Sequence, residues 1–169
     1  MVVFTAALLS GCAGGAQSAE PAEAVDEALL ADAPPPGATM DDVKNIAWEL
    51  TEVASPGGVL SINRAALAAK NTSAFYTLRL TNEGASGTAA PNKYFAPYKS
   101  SEGSTIELFP MRNTLMASIA ATALTLSERD YCSYIQNAYR WEKEGGILRL
   151  YSRSSGGADV VLSFQQAGS

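Results

Sequence analysis

Two cysteines and a small set of carboxylates are the side chains that could carry covalent or acid–base chemistry here, because the chain contains no histidine. A Ser-His-Asp or Cys-His arrangement is therefore excluded, and a zinc site is disfavoured. Cys132 has no imidazole to activate it, so the sequence favours a buried structural cysteine over a free reactive thiol. We predict no catalytic residue, no metal site and no cofactor.

The carboxylates of Glu128 and Asp130 form the candidate acid–base pair. Such a pair acts only if both side chains converge on one cleft and one of them has a raised pKa. Both residues also follow Ser127 at the predicted start of a helix, where negative charge interacts favourably with the helix dipole. The second interpretation is simpler, and we expect a structural role.

Asn92 stands close to three aromatic residues, Tyr94, Phe95 and Tyr98. An amide with aromatic rings can line a ligand cleft. The same residues can fill the core of a small sheet beside a turn, because Asn tolerates unusual backbone angles. The sequence favours the core interpretation, and it leaves the ligand-binding residues unknown.

Cys12 lies directly after an uncharged apolar run, MVVFTAALL, and two small residues. The run is too short to span a bilayer, which takes about 20 apolar residues. It suits the apolar core of a signal peptide, although no Lys or Arg precedes it. The missing basic residues leave the position of the true start codon open.

The stretch Leu9-Ser10-Gly11-Cys12 resembles the bacterial lipobox, in which an aliphatic residue and two small residues precede a cysteine. The resemblance implies that residues 1–11 are a lipoprotein signal peptide. It also implies that Cys12 is the lipid attachment residue, held in the membrane by acyl chains such as palmitate. Ala13 carries no acidic retention signal, which implies the outer membrane of a Gram-negative cell, facing the periplasm. The alternative is an ordinary buried cysteine in a short apolar helix.

Residues 12–43 have the composition of a disordered tether. They contain seven acidic residues, no basic residue and no aromatic residue. Such a segment cannot bury enough apolar surface to offset the entropy of ordering, and Pro34-Pro35-Pro36 stiffens it. The alternative is a short interaction helix over AVDEALLADA, whose apolar residues have helical spacing.

Residues 44–166 contain nearly all of the aromatic residues and form one predicted domain. Alternating apolar positions predict strands. These positions are Ile46/Trp48/Leu50, Val59/Leu60/Ile62, Tyr76/Leu78/Leu80, Ile106/Leu108, Tyr139/Trp141, Leu148/Leu150 and Val160/Leu162/Phe164. One helix is predicted after Ser127, with Tyr131, Ile135 and Ala138 on its buried face. The fold class is therefore α+β, a predominantly antiparallel β-sheet with one helix.

The order of these elements resembles the META/HslJ-like domain of bacterial envelope proteins. The stretches that carry the resemblance are Trp48-Glu49-Leu50, Tyr76 to Leu80 with Gly84 and Gly87, Asn92 to Tyr98, and Thr114-Leu115-Met116-Ala117-Ser118. They match the family's opening W-x-L, its strand and G-x-G, its C-N-x-Y and closing G-x-Y, and its T-R-M-A-C. The helix from Glu128 and the final hairpin complete the match.

Three positions depart from the family pattern. Pro91 and Ser118 stand where relatives often have cysteines, and Leu115 replaces an arginine. A disulfide or cysteine chemistry typical of relatives therefore cannot occur here. The resemblance implies a fold and a compartment, with links to heat shock and envelope stress, more than it implies an activity.

Three classes of function remain open. The favoured one is a non-enzymatic envelope lipoprotein that contacts the membrane through its lipid, binds envelope components such as a partner protein, or supports stress tolerance. The second is a lipoprotein inhibitor of a secreted lysozyme or protease, acting through an exposed rigid loop near residues 91–97 or 152–157. The third is an enzyme that uses carboxylates alone. The domain has ten acidic and twelve basic residues and no basic patch, so we expect no nucleic-acid partner.

Overall fold

The computed structural model of the chain describes residues 38–101, 104–115 and 126–168. These residues contain eleven strands, two α-helices and a short 3-10 helix, Met40–Asp42. The strands are β1 (Trp48–Ser55), β2 (Gly58–Ser61), β3 (Thr77–Leu80), β4 (Ala85–Thr88), β5 (Lys93–Ala96), β6 (Tyr98–Ser101), β7 (Thr105–Leu108), β8 (Arg112–Asn113), β9 (Arg140–Glu144), β10 (Ile147–Arg153) and β11 (Asp159–Gln166). The helices are α1 (Arg64–Ala69) and α2 (Glu128–Gln136).

The strands pair antiparallel in the order β6-β7-β9-β10-β11-β1-β3-β4-β5-β8, and β2 pairs with β1. Strands β5 and β6 lie near opposite ends of this order, yet a single residue, Pro97, joins them in the chain. One residue spans at most about 3.6 Å, so the sheet must curl until its two ends meet. The result is a half-barrel, and the predicted α+β class with a predominantly antiparallel sheet is confirmed.

The core lies inside the curled sheet and is formed by the alternating positions of the long strands. Trp48, Leu50, Leu148, Leu162 and Phe164 are fully buried. The folded part includes residues before Lys44, since Val43 is fully buried and its carbonyl accepts a hydrogen bond from Trp48 Nε1 at 3.0 Å.

Helix α2 begins where the sequence predicts, at an N-cap serine. Ser127 Oγ accepts a hydrogen bond from the Asp130 backbone N–H at 3.0 Å, which satisfies one of the unpaired donors of the first turn. Tyr131 and Ile135 are fully buried, and Ala138, just past the end of the helix, is also buried. Helix α2 therefore packs against the half-barrel through the face that the sequence predicts to be buried.

Helix α1 and strands β4, β5, β6 and β8 are not among the elements that the sequence pattern predicts. Helix α1 has six residues, and Asn63 caps it by accepting from Ala66 N–H at 2.9 Å. Strand β4 has the sequence ASGT, which lacks the alternating large apolar residues of a typical strand. Its pairing with β3 and β5 supplies the stabilisation that its side chains do not.

Gly87 in β4 occupies a place where no other residue fits. A β-carbon there would lie 1.9 Å from the Thr77 carbonyl oxygen and 2.8 Å from the Tyr94 hydroxyl. Real carbon atoms do not approach backbone oxygen so closely, so the backbone would have to move. The glycine lets the chain pass directly beside these two groups.

We expect Gly87→Ala to lower the free energy of unfolding by more than about 3 kcal/mol, because backbone at Thr77 must shift to admit the methyl group. Urea unfolding followed by circular dichroism measures the change. Gly146→Ala is the matched control, since a β-carbon at Gly146 meets nothing within 4 Å. The control should stay within about 0.5 kcal/mol of the wild type. Equal effects of the two substitutions would contradict the packing argument.

Candidate functional site

The lipid attachment residue predicted from the sequence, Cys12, lies outside the described residues, and so do the signal peptide of residues 1–11 and most of the tether of residues 12–43. Met116, Ala117 and Ser118 of the fourth family stretch lie outside them as well. The other candidates are placed by the structure, and each can be examined through its contacts.

The carboxylates of Glu128 and Asp130 have different hydrogen-bond partners. Glu128 Oε2 accepts a hydrogen bond from Asn92 Nδ2 at 3.1 Å. The carboxylate of Asp130 accepts from Ser127 Oγ at 2.7 Å. Each carboxylate thus takes part in a structural contact at the start of α2, as expected from the helix-dipole interpretation.

Asn92 is buried, and its side chain and backbone connect three segments of the chain. Its side-chain oxygen accepts from Thr114 Oγ1 at 3.0 Å, and its side-chain nitrogen donates to Glu128. Its backbone carbonyl accepts from Ala89 N–H at 2.7 Å. One amide therefore links the segment before β5, the segment after β8 and the start of α2.

A cluster of tyrosines lies between α2 and the sheet. The hydroxyls of Tyr94 and Tyr131 both donate to the Thr77 carbonyl oxygen, at 2.8 and 2.9 Å. The Tyr76 hydroxyl donates to the Leu126 carbonyl. The ring of Tyr131 meets those of Tyr76 and Tyr94 edge-on, with centroids 5.4 and 5.9 Å apart. The aromatic residues thus serve the core, as the sequence favours.

Burial raises the pKa of each of these phenols. The pKa of Tyr76 is raised to about 12, by burial first and by the charge of Glu128 second. The pKa values of Tyr94 and Tyr131 are also raised, because burial penalises the phenolate. All three groups are therefore neutral hydrogen-bond donors at physiological pH.

Cys132 is a partly buried thiol whose sulfur accepts a long contact from Asn113 Nδ2 at 3.7 Å. Burial raises the pKa of this thiol to about 11, and the nearby charge of Glu128 acts in the same direction. Nucleophilic chemistry requires the thiolate, which is scarce at neutral pH under these conditions. The geometry thus agrees with a structural cysteine.

A charged cluster lies on the outer face of the β9–β10 hairpin. Arg140 Nη1 contacts Glu142 Oε1 at 2.9 Å, and the Arg140 guanidinium stacks 3.8 Å from the centroid of the Tyr151 ring. The Tyr151 hydroxyl donates to the other oxygen of Glu142. Burial and this hydrogen bond raise the pKa of Tyr151 to about 12. The contacts brace the hairpin and occupy both oxygens of the carboxylate.

Within the described part of the chain, no group of three or more Cys, Asp or Glu side chains is arranged to hold a metal ion. None of the helices in those same residues is long and apolar enough to cross a bilayer.

The sequence pattern wrongly predicts that the Tyr139 side chain is buried. Alternation with Trp141 predicts that both side chains face the core, and Trp141 is indeed only 2% exposed. Tyr139 is 40% exposed instead, because it precedes β9 and its ring lies beyond the edge of the core. No signal in the sequence distinguishes the two rings.

Two surface clefts share Tyr139. The first has a volume of about 530 Å³ and is also lined by Lys99, Ser100, Ser101, Thr105, Ile106 and Glu107. The second has a volume of about 570 Å³ and is also lined by Asn137, Arg153, Ser154, Ser155 and Gly157. We call Tyr139 with these two clefts the Tyr139 surface.

Opposite charges are balanced along the Tyr139 surface. Arg153 lies over the Tyr139 ring, 5.3 Å from its centroid, and its Nε is 3.8 Å from a carboxylate oxygen of Asp159. Lys99 and Glu107 are cross-strand partners in β6 and β7. The surface therefore offers hydrogen-bond donors and acceptors without a strong net charge.

The inhibitor hypothesis requires an exposed, protruding loop near residues 91–97 or 152–157. Neither segment has that form in the structure. Residues 91–97 contain strand β5, and Asn92 and Tyr94 within them are buried. Residues 152–157 contain the end of β10, where Ser152 is buried, and a turn at residues 154–157, in which Ser154 N–H donates to the Ala158 carbonyl at 2.8 Å. The turn carries only serine and glycine side chains, and Arg153 at the end of β10 is the long exposed side chain of this segment.

The fold and its site define a half-barrel domain that is closed by one helix and carries a polar surface with an exposed aromatic ring. The META domain family model matches residues 41–168, and the chain belongs to the META domain family. The resemblance predicted from the sequence is thereby confirmed.

A solved structure supports the same fold. The NMR structure of a protein from Burkholderia xenovorans aligns with a TM-score of 0.55 and 18% sequence identity, covering 92% of this chain and 99% of that one. At this identity the similarity establishes the fold alone. A comparison with curated proteins found no match.

We expect the folded state to lose stability between pH 10 and about 12. Unfolded tyrosines ionise near pH 10, whereas folded Tyr76 and Tyr151 ionise near pH 12. Over that interval the unfolded state binds fewer protons, so the contribution of these two tyrosines to stability is constant below pH 10 and falls as the pH rises further. Tyrosinate absorbance and circular dichroism, recorded together, should change in the same pH interval.

The same titration in concentrated guanidinium chloride is the control, and there the tyrosines should ionise near pH 10. Ionisation of every tyrosine near pH 10 in the folded protein, with unchanged circular dichroism, would contradict the burial of the cluster.

Proposed function

We propose that the protein is a non-enzymatic, lipid-anchored protein of the bacterial cell envelope that binds envelope components through the Tyr139 surface. The observation that carries the binding role is an exposed aromatic ring shared by two polar clefts. Aromatic rings with polar groups around them are typical of binding sites in which one ring anchors a ligand.

The anchor rests on the sequence around Cys12. Acyl chains on this residue would hold the chain in the outer membrane, facing the periplasm, and the acidic segment that follows would act as the tether. A flexible segment of about 30 residues spans roughly 30 Å, which would place the domain clear of the bilayer. Negative charge in the tether would also keep it away from anionic lipid headgroups.

The non-enzymatic role is supported by the contacts of the residues that could do chemistry. Glu128, Asp130 and Glu142 are engaged in structural hydrogen bonds, and the thiol of Cys132 has a raised pKa. Support of stress tolerance would then be an indirect effect of binding envelope components.

We expect Cys12→Ala to abolish lipidation and cleavage by the lipoprotein peptidase. The variant lacks the sulfur that receives the diacylglycerol, so it should leave the membrane fraction and keep the mass of the uncut chain. Fractionation and intact-mass spectrometry measure both effects, and Cys132→Ala serves as the control that removes the other thiol. A Cys12→Ala chain that still partitions into membranes with the wild-type mass would overturn the anchor.

We expect Tyr139→Ala to reduce the retention of envelope material by the protein at least about tenfold, because the ring is the proposed anchor. Full-length protein in detergent is immobilised and exposed to a solubilised envelope fraction, and retained protein and sugar are quantified separately. Val59→Ala is the matched control, since Val59 is 64% exposed on another strand. Equal retention by wild type and Tyr139→Ala would contradict the binding role of this surface.

A further inference from the structure

Four neighbouring strands at one end of the sheet carry three basic residues. Arg79 lies on β3, Lys93 on β5 and Arg112 on β8, and all three are exposed. These residues are far apart in the chain, so the sequence contains no basic run that would indicate them. Only the pairing of the strands in the order β3-β4-β5-β8 brings them to one part of the sheet.

The strand register places the three residues on the same face. Arg79 pairs with Ser86, Ser86 with Phe95, and Phe95 with Arg112. Residues directly opposite each other in antiparallel strands point to the same side, so these four form a row across the sheet. Lys93 is two residues from Phe95 on the same strand and shares its side. The intervening residues of β3 and β5 are buried, so this is the outer side of the sheet. We call Arg79, Lys93, Phe95 and Arg112 the basic face.

The basic face keeps an excess of positive charge. The four strands contain no Asp or Glu, and the turn after β3 adds one carboxylate, Glu83. Glu49 on the neighbouring strand β1 forms an ion pair with Arg64, with Oε1 and Nη2 3.2 Å apart. Among the residues that the structure describes, none of the ion pairs involves a cation of the basic face. These three charges are therefore available to an anionic ligand.

The spacing of the cations favours a ligand with several anionic groups. Neighbouring strands are about 4.8 Å apart, so three spacings separate the Arg79 and Arg112 backbones by about 14 Å. Lys93 lies about 7 Å along β5 from this row. A single phosphate group is too small to contact all three side chains, whereas a chain of such groups can. Two of the cations are arginines, whose planar forks bind phosphate oxygens through paired hydrogen bonds.

The shape of the basic face favours a flexible polymer over a bilayer. The face is on the outer, convex side of the curled sheet, so a flat membrane surface would contact only part of it. A flexible chain can follow the curvature and contact each cation in turn.

Phe95 does not supply a projecting aromatic ring. A β-carbon at Gly84 would lie 2.7 Å from Phe95 Cζ, which shows that the ring packs directly against the backbone of the turn after β3. The ring is therefore held close to the sheet. Proteins that bind single-stranded nucleic acids use exposed rings on which bases stack, so the basic face is better suited to a polymer without bases.

We propose that the basic face binds a flexible linear polymer of phosphate groups, with Arg79, Lys93 and Arg112 each contacting a different phosphate. The basic face shares no residue with the Tyr139 surface, so this is a second binding function and does not rest on the first.

The test is the fluorescence anisotropy of labelled linear inorganic polyphosphate, titrated with the full-length protein in a non-ionic detergent. We expect saturable binding that weakens at least about tenfold between about 50 and about 200 mM NaCl, because three phosphate contacts release counterions. The double variant Lys93→Gln/Arg112→Gln should bind at least about tenfold more weakly and depend less on salt.

The matched control is Lys143→Gln/Arg149→Gln, which removes two positive charges from β9 and β10. It should bind within about threefold of the wild type, because the polymer contacts the basic face and not the net charge of the protein. Circular dichroism should show that both double variants are folded.

Three results would overturn the proposal. The first is the absence of polyphosphate binding by the wild type, and the second is an equal loss of affinity in the two double variants. The third is tighter binding of another anionic probe at equal charge concentration, either oligothymidylate or phosphatidylglycerol in mixed micelles. That result would assign the face to nucleic acid or to a membrane. All three outcomes leave retention through Tyr139 unaffected, so failure here is distinguishable from failure of the proposed function.

Discussion

The hydrogen bonds accepted by the Thr77 carbonyl oxygen are the interactions on which the rest of the domain depends. This oxygen accepts hydrogen bonds from the hydroxyls of Tyr94 on β5 and Tyr131 on α2, at 2.8 and 2.9 Å. Gly87 passes beside it, because any side chain there would collide with it. One backbone oxygen thus joins helix, β3 and β5 at the same point. Its partners are buried, so the loss of one would leave a polar group without compensation.

The residues that could do chemistry take part in structural hydrogen bonds within the described part of the domain. Asn92 connects Thr114 with Glu128, and Asp130 pairs with the cap residue Ser127. A curled sheet of short strands leaves many chain segments to be joined, and buried polar groups must find partners. Side chains with amide, hydroxyl and carboxylate groups therefore hold these segments together.

Residues that carry the family match also make structural contacts. Trp48 Nε1 donates to the Val43 carbonyl, the Tyr94 hydroxyl donates to the Thr77 carbonyl, and Gly87 leaves room for these last two groups. These are positions through which the sequence resembles the META domain family, and each has a structural task. A shared fold can thus persist at 18% identity to a solved neighbour.

The amino-acid sequence by itself determined the fold class, the cap at Ser127, the buried face of α2 and the final hairpin, because each depends on local periodicity or on a capping side chain. It also determined the absence of histidine chemistry. Strand β4, the engagement of Asn92 and Glu128, and the exposure of Tyr139 were decided only by the tertiary structure. Each of these features depends on contacts between groups far apart in the chain, and no local sequence pattern indicates such contacts. Tyr139 and Trp141 alternate in the sequence like two core residues of one strand. Tyr139 is nevertheless exposed and Trp141 buried, because Tyr139 lies at the edge of the curled sheet.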